Sequence, residues 1–167
     1  MDATAEQEFR DFVVSRSAAL IRSAQLLTGD KALAEDAVQA ALVRVYGAWP
    51  RIRRRDLVEA YARRAVHREV LSWRRRRQST EVVAPLPPDV AVLDAAASIA
   101  ERDAVQRALL QLPLRQRAVI VLRYFDDLSE AQTADALAIS PGAVKAHSHR
   151  ALNRLRVLLE PAEERSP

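Results

Sequence analysis

The chain has 167 residues, no cysteine, 49% hydrophobic residues and a net charge of +4. That length holds one ordinary domain or two small ones, and the apolar content suffices for packed cores. The lack of cysteine excludes disulfides and thiolate chemistry; with no signal-like start and no apolar run able to span a bilayer, the expected compartment is the cytoplasm, without membrane insertion.

Helical periodicity runs through almost the whole sequence. Phe9, Phe12, Val13, Leu20, Ala24 and Leu27 recur at helix spacing. Gly29 then offers a C-terminal cap, and Asp30 an N-cap for a second helix with Ala34, Val38, Ala41, Leu42, Val45 and Trp49 on one face. Pro50 stops that helix. An arginine-rich connection, Arg51 to Asp56, leads into a third, whose apolar stripe is Val58, Ala62, Ala65, Val66 and Trp73. From residue 79 to 98 there are three prolines, no basic residue and weak periodicity, which reads as a flexible linker. Helical patterning resumes at Ile99, breaks at Pro113 and ends in a pair of helices. The expected fold is all-α: two small helical domains, residues 5–78 and 99–160, joined by that linker.

Charge is unevenly placed along this plan. Residues 51–77 carry 11 basic and 3 acidic side chains; residues 140–167 carry 5 and 3; residues 78–98 carry 3 acidic and no basic ones. Two basic patches separated by acidic sequence suggest two anion-contacting sites, with nucleic acid the leading candidate.

The final pair, Leu128 to Arg156, has the grammar of a helix-turn-helix. Ser129 is an N-cap, Ala138-Ile139-Ser140 a turn, Ser140 a second N-cap, and Pro141 takes the first helical position. Val144, Ser148, Ala151, Leu152 and Leu155 are expected inward. Gly142, Lys145, Ala146, His149 and Asn153 face outward, flanked by Arg150 and Arg156. Small residues let this face approach a groove, and the polar ones can donate to base edges or phosphates. An αα-hairpin buried in an ordinary core is the plainer alternative. His147 and His149 are two apart and point in different directions on a helix, so no metal site is expected.

On the third helix Tyr61, Arg64 and Arg68 form a stripe, with His67 beside them. A ring that stacks a base among cations that follow phosphates suits single-stranded nucleic acid, and Arg53 and Arg54 in the preceding loop can add contacts. A solvated arginine-rich face is the alternative.

With both basic sites in this order, the sequence closely resembles the extracytoplasmic-function (ECF) group of bacterial sigma factors, within the sigma-70 family and of actinobacterial type. Residues 26–53 are similar to the part of region two that binds the clamp of RNA polymerase, residues 59–77 to its promoter-melting, minus-ten-reading helix, and residues 112–156 to region four, which reads the minus-thirty-five element. The resemblance implies that Asp36, Gln39, Val43 and Arg44 contact core polymerase. It implies that Arg53, Arg54, Tyr61, Arg64, His67 and Arg68 capture the non-template strand, and that Lys145, Ala146, His149 and Arg150 match the helix that reads duplex DNA; Gly142 and Asn153, on the same outward face, join them as candidate DNA contacts. Expected partners are the polymerase core (clamp and flap), promoter DNA in duplex and single-stranded form, and an anti-sigma factor. Neither a cofactor nor a catalytic site is expected. Ala40 stands where the family commonly has glutamate, His67 where asparagine is frequent, His147 where arginine is, and Ala146 and His149 where serine is. A helix-turn-helix regulator that works without polymerase is the alternative.

Overall fold

A computed structural model of the chain describes residues 2–78 and 98–161, with the side chains of all but 77 and 78. The expected linker therefore lies outside the described residues, apart from Ser98. Among the described residues there are seven α-helices and no strand. They belong to two units, divided between Leu86 and Pro87.

The first unit is α1 (Ala3–Thr28), α2 (Lys31–Ala48) and α3 (Val58–Gln78). Local chemistry sets its joints. The α1 helix ends at Gly29, whose φ of 72° is left-handed and whose N–H bonds the Gln25 carbonyl at 2.8 Å. The next residue, Asp30, accepts from the Leu33 N–H at 2.9 Å and starts α2. So short a joint turns α2 back along α1. At the far end of α2, Pro50 cannot extend the α-helix, and the chain passes through two 3-10 turns, Trp49–Arg51 and Arg55–Leu57, into α3.

Small residues let the three helices approach closely: Ala24, Ala34, Ala41 and Ala62 are fully buried beside Leu20, Val38, Val45, Val58 and Val66. Trp49 closes the end of this core. Phe9 meets its ring edge-on at 5.2 Å, Phe12 tilts against it at 5.7 Å, and the Arg55 guanidinium lies over it at 4.5 Å. Arg55 also donates to the Trp49 and Ile52 carbonyls and pairs with Glu8 of α1 at 3.0 Å.

Buried polar side chains help hold α3 to its neighbours. Ser23 Oγ on α1 lies 3.2 Å from His67 Nε2, both buried. Glu69, only 7% exposed, pairs with Arg44 of α2 at 2.9 Å and more loosely with Arg76 at 3.5 Å.

The second unit is α4 (Ile99–Leu110), α5 (Leu114–Ile120), α6 (Glu130–Leu137) and α7 (Pro141–Leu159). Ser98 and Glu101 form a reciprocal capping box at the start of α4. Pro113 separates α4 from α5. Arg117 then reaches back from α5: its Nε donates to the Leu109 carbonyl at 2.9 Å, and its Nη2 to those of Leu110 and Leu112 at 2.9 and 3.1 Å. A buried cation thus closes the C-terminal end of α4, where carbonyls lack helical partners and the dipole favours positive charge.

Beyond Ile120 the α-helix widens into a π-turn, Val121–Phe125, with the Asp126 N–H bonding the Val121 carbonyl five residues back. Asp127 follows with φ 53°, and Arg123 Nη1 donates to the Leu128 carbonyl at 2.6 Å.

Arg117→Ala leaves the three carbonyls without this donor and should cost about 2–4 kcal/mol in the second unit, read by chemical denaturation. Ala138 adopts φ 53° at the end of α6; Ala138→Gly removes that strain and should stabilise the same unit by about 1 kcal/mol. Removing Arg44 exposes the cost of the buried Glu69 carboxylate. Arg44→Ala should destabilise the first unit by about 1–2 kcal/mol, reduced by the solvent around the guanidinium, and Glu69→Gln made together with it should recover part of the loss.

Candidate nucleic-acid and polymerase interfaces

On α2 the residues opposite the core form one exposed stripe. Asp36, Gln39 and Val43 recur at helix spacing, and Val43 is 72% exposed. Tyr46 extends the stripe, half exposed, with its ring edge against Phe9 at 5.1 Å. Apolar side chains left in water beside polar ones suit a protein partner. Arg44 is exposed too, but its head is turned onto Glu69, so it also serves the fold. Sequence reasoning missed that second role, because nothing in the local pattern announces that Glu69 is buried.

The basic site on α3 is assembled from two places. Arg53 and Arg54 are exposed in the connection that feeds the helix. Arg54 folds onto Asp56, with Nη2 to Oδ2 at 2.6 Å and Nε to Oδ1 at 3.3 Å. That two-pronged contact, first by hydrogen bonding, holds the Asp56 carboxyl below the usual carboxylate range and raises the guanidinium further. On the helix, Tyr61 and Arg64 are half-buried and Arg68 is exposed. Tyr61 packs its ring against the core, so only part of it can meet a base.

His67 does not belong to this face. It is 0% exposed and bonded to Ser23, so it holds α3 to α1. The physical reason is that α3 is covered by both α1 and α2, which makes its buried arc wider than its apolar stripe. The Arg74, Arg75 and Arg76 run continues the positive charge toward the end of the helix, as the composition implied.

In the second unit the two caps of the helix-turn-helix form as the sequence reads. Ser129 accepts from the Gln132 N–H at 3.1 Å while its own N–H donates to Gln132 Oε1 at 2.8 Å. Ser140 accepts from the Ala143 N–H at 3.1 Å, and Pro141 opens α7. Val144, Ala151 and Leu155 are buried. Leu152, expected inward, is 40% exposed, because the neighbouring helices cover an arc centred on Ala151 and Leu152 sits at its edge.

Gly142, Lys145, Ala146, His149, Arg150 and Asn153 are all exposed along α7. A Cβ added at Gly142 would meet only Ser140 Oγ at 3.9 Å, so internal packing does not require the glycine; its effect is to leave bare backbone outward. Side-chain contacts pre-order the rest. Lys145 Nζ lies 3.8 Å from Glu130 Oε2 at the start of α6, and Asn153 Nδ2 lies 3.1 Å from His149 Nε2. Arg150 Nη2 lies 3.4 Å from His147 Nδ1. Burial first, then the charges of Arg150 and Arg115, push the His147 imidazole below the ordinary histidine range, which favours its neutral form. Among the described residues no cluster of three His, Asp or Glu side chains could hold a metal ion, and no helix is long and apolar enough to cross a membrane.

The first unit thus offers an apolar-polar stripe and a basic face; the second offers a capped helix pair with an open polar face. Comparisons with known proteins match both. The family model for sigma-70 region 2 matches residues 12–80, and that for sigma-70 region 4 matches residues 102–155. An RNA polymerase sigma-E factor of Streptomyces avermitilis is 42% identical over 153 residues, covering 92% of this chain and 86% of the relative. The ECF RNA polymerase sigma factor SigM of Mycobacterium tuberculosis is 35% identical over 140 residues, covering 84% and 71%. Among solved structures, the sigma factor RpoE in complex with the anti-sigma factor NepR from Bartonella quintana superposes with a TM-score of 0.76 at 25% identity, over 92% of this chain and 97% of that one. Helix order, both sets of caps and these matches over nearly the whole length agree: the chain belongs to the sigma-70 family of bacterial RNA polymerase sigma factors, in its ECF group and of actinobacterial type.

Proposed function

We propose that this sigma factor confers promoter specificity on RNA polymerase by dividing the work between its two units. Residues 5–78 form the body that docks on the polymerase clamp and opens the minus-ten element; residues 99–160 read the minus-thirty-five element and meet the flap; residues 79–98 tether the two. The observation that carries this reading is that the two basic faces are built differently. The α7 face is open and pre-ordered, with Gly142 and Ala146 leaving room for a major groove between donor side chains. The α3 face pairs a half-buried ring, Tyr61, with Arg68 and the Arg53–Arg54 loop, an arrangement suited to unstacked bases and a flexible strand.

In this scheme the exposed stripe of Asp36, Gln39 and Val43 is the core-binding surface, and Arg44 lies at its margin. Lys145 and His149 reach base edges, Arg150 and Asn153 flank them, and Arg64 and Arg68 hold the non-template strand. His67 contributes by fixing α3, not by touching DNA. The protein carries out no bond-making step; binding energy spent on unpaired bases offsets the cost of unstacking, which is a few kcal/mol per step. Its workplace is the cytoplasm, where the polymerase is. An anti-sigma factor that holds the units away from polymerase is its expected regulator, since the RpoE structure is a complex with such a partner.

Run-off transcription with sigma-free core polymerase from a related bacterium tests the scheme, using the DNA upstream of the protein's own gene as template. Specific transcripts should appear with the wild-type protein. Arg68→Ala should abolish them on a closed duplex yet retain activity on a template with a pre-opened minus-ten bubble. Lys145→Ala should weaken promoter binding by about 1–3 kcal/mol if it reads a base, and lower the salt dependence by about one ion if it meets a phosphate. A protein that shifts the duplex alone and never yields a transcript with core would instead be a polymerase-independent regulator.

A further inference from the structure

Beside the outward face of α7, cations gather from two helices. Arg150 and His147 are in contact at 3.4 Å. Arg115, in the first turn of α5, donates to the Leu137 carbonyl at 3.5 Å, which puts it at the turn that feeds α7. Among the described residues, its charge and that of Arg150 are the ones that act on His147. The acidic side chains that α6 brings to the unit are Glu130 and Asp135; Glu130 is engaged by Lys145. On α7 itself, His149 turns toward Asn153, and Arg154 is exposed one turn beyond Arg150. Like charges brought together repel, and an anion seated among them relieves that repulsion.

We propose that Arg115, His147 and Arg150 form a binding site for one phosphate of the DNA backbone, and that His147 takes up a proton as the phosphate arrives. The site rests on the reading of α7 as the duplex-reading helix. It lies at the flank of that helix, where the strand bordering a major groove passes. In the free protein Arg150 donates to His147 Nδ1, a contact that only the neutral ring can accept. A phosphate is a charged and stronger acceptor, and it draws the guanidinium away. Nδ1 is then vacant. One proton moves onto it from solvent, no other bond changes, and the imidazolium adds a third donor to the phosphate.

The sign follows from linkage. Bound phosphate raises the proton affinity of the ring above its value in the free protein. Binding is therefore tightest at low pH and weakens as pH rises between the free and bound values, by at most about tenfold per pH unit, and it levels off above them.

The test uses holoenzyme reconstituted from the full chain and core polymerase, with the promoter duplex identified by run-off transcription. Affinity is measured by fluorescence anisotropy from about pH 5.5 to about pH 8, the range in which histidine titrates. Proton uptake is read from binding heats in buffers of different ionisation enthalpy. The wild-type holoenzyme should take up as much as one proton more than the His147→Gln holoenzyme, whose affinity should be flatter with pH. His147→Lys should bind tightly across the range without the extra uptake. His149→Asn should retain the uptake even where it alters base preference, and Arg115→Ala should weaken binding several-fold and lower the salt slope by about one. Uptake unchanged in His147→Gln, or lost in His149→Asn instead, overturns the site. A wild-type holoenzyme that binds the duplex with no pH dependence overturns the site alone, whereas one whose binding is indifferent to every α7 substitution overturns the reading of α7 with it.

Discussion

The Trp49 indole is the point on which the first unit turns. It sits where α2 must stop, because Pro50 follows it, and it is gripped by two rings of α1 and by the Arg55 guanidinium from the next connection. Three chain segments are thereby fixed at one place, and the connection that carries Arg53 and Arg54 is stretched across the surface. Arg55 is an arginine among arginines in the sequence, yet it spends its donors on the Trp49 and Ile52 carbonyls and on Glu8. The positive charge left for a ligand is what remains after the fold has taken its share.

The second unit uses charge in a related way. Arg117 sits in the core with its guanidinium on the carbonyls that end α4, and Arg123 braces the turn before α6. These contacts orient α5 and the entrance to the helix pair, so the angle at which α7 presents its outer face depends on arginines that never reach that face. Arginine suits this task because its fork can serve several carbonyls at once.

Much of this was legible in the sequence where the physics is local. Gly29, Asp30, Ser129, Ser140 and Pro141 announce helix ends through their own backbone preferences, and each does what it announces. The α7 face was legible as well, because its small and polar residues alternate with a buried stripe at helix spacing. What escaped was set by contacts between distant residues. His67 looks like part of a basic stripe until α1 brings Ser23 to it. Glu69 looks solvated until Arg44 arrives from α2. The π-turn at Val121–Phe125 has no composition of its own, since the same apolar residues would fit an α-helix, and only the route to Leu128 selects it.

The contact between Asn153 and His149 has a consequence for how such a face can change. An amide can offer either its nitrogen or its oxygen to a neighbouring imidazole. With Nδ2 donating to Nε2, as here, the neutral ring carries its hydrogen on Nδ1 and is a donor at that edge; with the amide reversed, the same edge becomes an acceptor. The helix, the ring and the spacing are unchanged between the two. The polarity of that edge of the exposed α7 face is thus held by a neighbouring side chain, and a substitution at position 153 can reverse it while leaving His149 in place.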